Sequence, residues 1–291
     1  MFPALVASLA ERGGVSVSLN RRGALEVALG DEESGMLRSA MSDPTHIWLD
    51  RQSLGELEPA LAHAAGAVLH ENDGVVNTLQ LIRAYKARLA TDARVTVHAA
   101  EAVRIGATAS AASVLLRSGE RLNARRLVIA TGAWAAEGLE GLPRRLAIEP
   151  VRGQMASLAR STLRHAVFGA GGYLAPRGDG RVLTGSTEEH VGFDAGTTPG
   201  GIAFVRERAA VLCPELKGAP MLNGWSGLRP MTPDGLPIIG AEPESPSVIY
   251  ACGHSRNGVL LAPLTGVLIA ALLAGEHPPE LAHFRPDRFD A

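Results

Sequence analysis

Arg126-Leu127-Val128-Ile129-Ala130-Thr131-Gly132-Ala133-Trp134 is the stretch that decides the fold class. Leu127 to Ala130 is an unbroken apolar run with strand propensity, and it stops at Thr131-Gly132. A strand that is apolar on both faces belongs in a parallel sheet covered on both sides, not in a sheet with one wet face. Open sheets of this kind take ligands where such a strand runs into a loop at its carboxyl end. Gly132 would let backbone approach a phosphate or a ring closely. The fold predicted is therefore α/β.

On the N-terminal side, helical spacing covers Phe2 to Arg12, with Gly13 as its cap, and a second helix covers Asp31 to Ala40. His46 to Leu49 and Ala67 to His70 read as strands, and Ser53 with Glu56 has the spacing of a capping box. Asn77 or Thr78 caps a helix to about Ala90, with Leu79, Ile82, Tyr85 and Leu89 at helical steps. Strand-like runs follow at Arg94 to Ala99, Glu101 to Ile105 and Ser113 to Arg117.

On the C-terminal side, strands are predicted at Val151 to Leu158, Met221 to Leu228 and Ser247 to Ala251. Tyr173 to Pro176 and Arg181 to Ser186 flank Gly178-Asp179-Gly180 as a hairpin. Helices are predicted at Gly201 to Leu212 and, buried, from Val259 to Ala274. The latter carries Pro263 and ends at Gly275, too short for a membrane span. No repeat or linker interrupts the chain, so two domains would be interleaved in sequence: residues 1–70 with 147–229, and 71–146 with 230–291.

The 291 residues carry 28 Lys and Arg against 30 Asp and Glu, a formal net charge of −2. That balance gives no footprint for nucleic acid or an anionic membrane and favours a small-molecule partner. Cys213 and Cys252 are the only cysteines and have no metal-ligand spacing, so two buried free thiols in a cytoplasmic protein are expected, with no metal. Walker, HExxH and GxSxG motifs are absent, and Gly169-Ala170-Gly171-Gly172 is not followed by a helix, so it is no dinucleotide loop.

Chemistry concentrates in three further segments. In Trp225-Ser226-Gly227-Leu228-Arg229-Pro230, a strand arginine can offer a planar fork to a carboxylate. In Gly172-Tyr173-Leu174-Ala175-Pro176-Arg177, a strand tyrosine can aim its hydroxyl into a cavity. In Cys252-Gly253-His254-Ser255-Arg256-Asn257-Gly258, a polar glycine loop feeds a helix whose first N–H groups are free for an anion.

Taken in order, VIATGAWA, GYLAPR with GSTEEHVGFD, WSGLRPMTPDGLPIIG, ACGHSRNGVLLAPLTG and the closing FRPDRF resemble the glycine oxidase branch of the D-amino-acid-oxidase-like flavoenzymes. The resemblance implies a Rossmann-like FAD-binding domain interleaved with a substrate domain built on a larger mixed antiparallel sheet. It implies that Arg229 holds the substrate carboxylate, that Tyr173 adds a hydroxyl, and that Arg256 shapes the substrate end. For FAD it implies Thr131 and Gly132 near the pyrophosphate, and Gly253, His254, Asn257, Gly258, Val259 and Leu260 at the flavin ring. The implied reaction is oxidative deamination of glycine or a small amine or D-amino acid, with oxygen as acceptor and hydrogen peroxide as product, serving thiazole assembly for thiamine in many bacteria. Self-assembly into a homo-oligomer is left open.

Relatives of this kind open with a strand, a GxGxxG turn and a helix, whereas Met1 to Val6 here match family sequence further downstream. The expectation is a fragment lacking at least one βαβ unit of roughly 30 residues. Weaker FAD binding and an exposed edge at Leu127 to Ala130 would follow. Ser255 and Glu188 also depart from the family pattern near the substrate end. The competing readings are a D-amino-acid dehydrogenase of the same superfamily and a non-catalytic remnant.

Overall fold

The computed structural model describes residues 1–135, 137 and 139–290. The first half runs α1 (Phe2–Gly13), β1 (Leu19–Asn20), β2 (Ala24–Ala28), α2 (Asp31–Ala40), β3 (His46–Asp50), α3 (Arg51–Leu57), β4 (Gly66–His70), β5 (Val75–Val76) and α4 (Thr78–Ala90). A meander of β6 (Ala102–Ala107), β7 (Ala112–Leu116) and β8 (Arg121–Ala124) leads into β9 (Leu127–Ile129). Then come β10 (Glu149–Leu158), β11 (Ala166–Gly169), β12 (Gly172–Pro176), β13 (Val182–Gly185) and α5 (Pro199–Leu212). β14 (Met221–Met231), β15 (Ile238–Ala241), β16 (Val248–Cys252) and α6 (Gly258–Ala274) close the chain.

The architecture is the mixed α/β one expected, a Rossmann-like part interleaved with a larger mixed sheet. Eight strands form the large sheet in the order β14-β10-β13-β12-β11-β2-β4-β3. Every pairing in it is antiparallel except β11 with β2. A second sheet has the order β15-β16-β9, with β9 parallel to β16 and at the end of the sheet. The continuous apolar strand thus has one partner among the described residues.

Alternation along the large sheet separates two faces. Ala156, Leu158, Leu174 and Val182 turn to one side and pack on Val205, Ala209 and Leu212 of α5. Helix α5 is well specified for this task. The Thr198 side chain caps it by accepting from Gly201 N–H, and Pro199 occupies its first turn. The other face carries Gly153, Met155 and Ser157 of β10, opposite Gly227, Trp225 and Asn223 of β14. That second face also carries Arg229 and Tyr173.

Several sequence expectations shift. The left-handed cap of α1 is Gly14 (φ 67°), not Gly13, because the helix runs one residue further. Ser53 and Glu56 do not form a capping box; Asp50 caps α3 by accepting from Ser53 N–H. Arg94 to Ala99 makes no strand ladder, and Val97 stands 71% exposed. In α4, Leu79, Ile82, Tyr85 and Leu89 face outward, while Leu81 and Ala84 pack with Leu9 of α1. Helix α6 was expected to be buried, yet Leu268 is its sole buried residue among those described. The apolar stripe of α4 is real and α6 is apolar all round, yet Leu79, Ile82, Val259, Leu260 and Val267 among them stay exposed. Among the described residues, no single helix is long and apolar enough to cross a membrane. Cys213 and Cys252 are free and buried, and burial pushes both thiols up to about 12.

Candidate active site

Arg229 lies on β14 opposite Val151 of β10, and its guanidinium reaches back across the sheet over Gly153. A Cβ at residue 153 would sit 2.4 Å from Nη2, so glycine alone leaves room for this placement. Nη2 donates to the Thr187 carbonyl at 3.1 Å and to Ser186 Oγ at 2.5 Å. Nη1 is buried with no hydrogen-bond partner among the described residues. A buried guanidinium nitrogen without a partner is costly in an apolar setting unless an anion completes it. Burial pulls the Arg229 pKa below its ordinary value, as does the Arg256 charge nearby, and Glu188 and Tyr173 act against this shift.

Tyr173 shares this face, paired with Gly185 of β13. Gly185 clears its space too: a Cβ there would lie 2.9 Å from the phenolic oxygen. Burial raises the Tyr173 pKa, while Arg229 and Arg177 pull it back, so the hydroxyl is a donor at neutral pH. The face continues past Leu183 and Trp225 into a cavity of about 650 Å³ that Arg177 also lines.

The segment after β13 is held firmly. Glu189 accepts from Arg152 Nη2 at 2.6 Å and from Gln154 Nε2 at 2.8 Å. The Thr187 hydroxyl accepts from Gln154 N–H at 2.9 Å. These bonds come from the opposite face of β10 and fix Ser186, Thr187 and Glu188 beside Arg229.

The glycine loop docks on the same place. Ser255 N–H donates to the Pro230 carbonyl at 3.0 Å, one residue beyond Arg229. Gly253 and Ser255 both have positive φ (67° and 50°), which bends the loop sharply into α6. His254 Nε2 pairs with Thr265 Oγ1 of α6 at 2.9 Å, and burial lowers the His254 pKa, so this ring stays neutral. Asn257 is the N-cap residue of α6 but gives no side-chain cap, leaving the first N–H groups free. Val259 and Leu260 are exposed beside them. Arg256 reaches toward Glu188, at 3.7 Å.

Thr131 and Gly132 follow β9. Gly132 (φ 59°) has nothing within 4 Å of its Cβ position and opens a short helical turn that packs beside β10, β14 and β16. In that turn Trp134 is exposed and faces the Phe193 ring at 6.0 Å. Sequence reasoning brought Tyr173, Arg229 and Arg256 to one place, and the fold does gather them. It missed Gly153, Gly185, Ser186 and Thr187; the only available signal was glycine inside two strand-like runs.

These residues fit a flavin. The open backbone at Gly132, the uncapped start of α6 and the exposed Val259 and Leu260 offer N–H donors and an apolar shelf beside the Arg229 face.

The model of the FAD dependent oxidoreductase family matches residues 2–272. A glycine oxidase of Geobacillus kaustophilus is 34% identical over 284 residues, covering 94% of this chain and 75% of that protein. Hydrogen cyanide synthase subunit HcnC of Pseudomonas aeruginosa is 34% identical, covering 99% of this chain and 72% of its own length. The crystal structure of glycine oxidase from Geobacillus kaustophilus superposes with a TM-score of 0.90 at 33% identity, over all of this chain and 81% of that one. By sequence and by fold alike, the chain belongs to the family of FAD-dependent oxidoreductases, and FAD is the cofactor that goes with this fold.

Proposed function

We propose that the protein oxidises the CH–NH2 group of glycine or a similarly small amino acid, giving an imine that hydrolyses to the oxo acid and ammonia. The observation that carries this reading is the buried Nη1 of Arg229, which has no partner among the described residues, on a face cleared by Gly153. A substrate carboxylate supplies the missing acceptor in charge-assisted bonds. Tyr173 adds its hydroxyl from the neighbouring strand. With the carboxylate fixed at two points, the amine-bearing carbon has a defined direction, which is what orientation contributes to rate.

Bound FAD would supply the two-electron acceptor for that carbon, with oxygen as the final acceptor and hydrogen peroxide as its product. Thr131, Gly132, Gly253, His254, Asn257, Gly258, Val259 and Leu260 are the residues we assign to holding it. The free N–H groups at the start of α6 offset negative charge placed before them. Arg256 closes the substrate end. We infer a division in which residues 1–70 and 147–229 present the substrate, while 71–146 and 230–291 hold the cofactor. The resemblance to glycine oxidases supports a cytoplasmic role in supplying the glycine imine for thiamine.

The test is peroxide release under air from glycine and from sarcosine, with ammonia as co-product from glycine and methylamine from sarcosine, after incubation with FAD, for the protein and for Arg229→Ala. Stoichiometric products that vanish in the variant support the reading. Turnover with a quinone acceptor and no peroxide would replace the oxidase with a dehydrogenase.

A further inference from the structure

Glu188 and Arg256 come from two different loops, yet both are rooted to Arg229. Glu188 follows Thr187, whose carbonyl takes a bond from Arg229, and precedes Glu189, which Arg152 and Gln154 clamp. Arg256 follows Ser255, whose N–H is bonded to the carbonyl of Pro230. The two side chains therefore meet at 3.7 Å, close enough for both charges to act on Arg229, whose buried Nη1 has no partner among the described residues. Without Glu188, the charges of Arg229 and Arg256 would act on one another with no carboxylate between them, an arrangement suited to a dicarboxylate. With it, the three charges sum to a single positive one, which matches one carboxylate.

Resting on the carboxylate reading of Arg229, we propose that Glu188 sets the substrate class by masking Arg256, so that the site takes monocarboxylate amines and turns away those with a second acidic group. The pair is loose and partly wet, with side chains 46% and 68% exposed, so its own contribution to folding is small. Its effect on selectivity is larger. A second substrate carboxylate must displace an anion that the backbone already holds in place, and must then sit beside that displaced anion.

The experiment is ligand-observed NMR titration of the purified chain with acetate and with succinate at pH 7.5. Needing no turnover, it separates binding from chemistry. The variants are Glu188→Gln, the double variant Glu188→Gln/Arg256→Gln and Arg229→Lys, each checked for folding by circular dichroism. Removing the Glu188 charge helps any anion somewhat, so the readout is the ratio of the two dissociation constants. In Glu188→Gln the ratio should move about tenfold toward succinate, the gain of one screened charge-assisted bond. In the double variant it should return to within about twofold of the parent ratio, because no freed guanidinium remains. A ratio that stays put in Glu188→Gln, or that stays shifted in the double variant, overturns the masking role while leaving Arg229 as the anchor. Acetate binding that is absent, or indifferent to Arg229→Lys, removes the carboxylate site itself and the masking with it.

Discussion

Gly153→Ala tests the site through a residue with no chemistry of its own. An ideal Cβ at residue 153 would lie 2.4 Å from Nη2, 2.6 Å from Cζ and 2.7 Å from Nη1 of Arg229. Comfortable contact needs about 3.5 Å, so the guanidinium must retreat by roughly 1 Å. It sits at the far end of a flexible side chain, so the backbone can stay where it is. The bonds to Ser186 Oγ and the Thr187 carbonyl weaken, at about 1 kcal/mol each. Alanine in place of a strand glycine returns about 0.5–1 kcal/mol. Net stability should thus fall by only about 1 kcal/mol, and Tm by about 2–4 °C. Carboxylate binding should suffer much more, because a displaced fork loses a charge-assisted bond of about 1.5–3 kcal/mol, or about 10- to 150-fold in Kd. Acetate titration and thermal denaturation on the same samples read both quantities. Unchanged acetate affinity with the alanine in place would refute the assignment of Arg229, because the only group moved would not be the one that binds.

Tyr173→Phe removes a hydroxyl that makes no hydrogen bond to a described residue, so Tm should hold while kcat/KM for glycine falls about 5- to 10-fold, one modest hydrogen bond's worth. Thr198→Ala removes the cap of α5 and the hydroxyl that accepts from Gln154, and urea unfolding should show a loss of about 1–2 kcal/mol. Glu58 is buried, which opposes its ionisation, but the His165 ring and the N–H groups of His165 and Arg164 outweigh that and hold its pKa below the ordinary 4.5. A carboxyl lowered in the folded state contributes stability above its unfolded value, and that contribution disappears as pH falls through the folded one. Glu58→Gln should therefore be destabilised relative to the parent at pH 7 by about 1.5–3 kcal/mol, with the gap closing below about pH 4.5. A gap that is constant from pH 7 to pH 3 would mean that charge plays no part.

Much of the local structure was legible because its causes are local. The Asp31–Ala40 helix, the Gly178-Asp179-Gly180 hairpin and the Asn77 cap of α4 each depend on residues within a few positions of one another. The errors arose where neighbours decide. Leu79, Ile82, Tyr85 and Leu89 make a good apolar stripe, yet the face of α4 that is buried is the one that meets α1. The α6 run reads as core from its composition and is mostly exposed. Val95 and Val97 have strand propensity and find no strand to pair with among the described residues.

The linear order of residues is enough for the α/β class, the types of groups available and their succession along the chain: a strand tyrosine, a strand arginine and a glycine loop before a helix. Those follow from spacing and side-chain chemistry. Register decided the rest. Only the pairing of β10 with β14 and of β12 with β13 puts Gly153 beneath Arg229 and Gly185 beneath Tyr173, on the face that α5 does not cover. A one-residue slip in either pairing would send those groups to the opposite face. The same pairing leaves Arg229 Nη1 buried and without a partner among the described residues, and brings Glu188 near Arg256 across 68 positions of chain. Such contacts between residues remote in sequence come from the fold, since no local spacing encodes them.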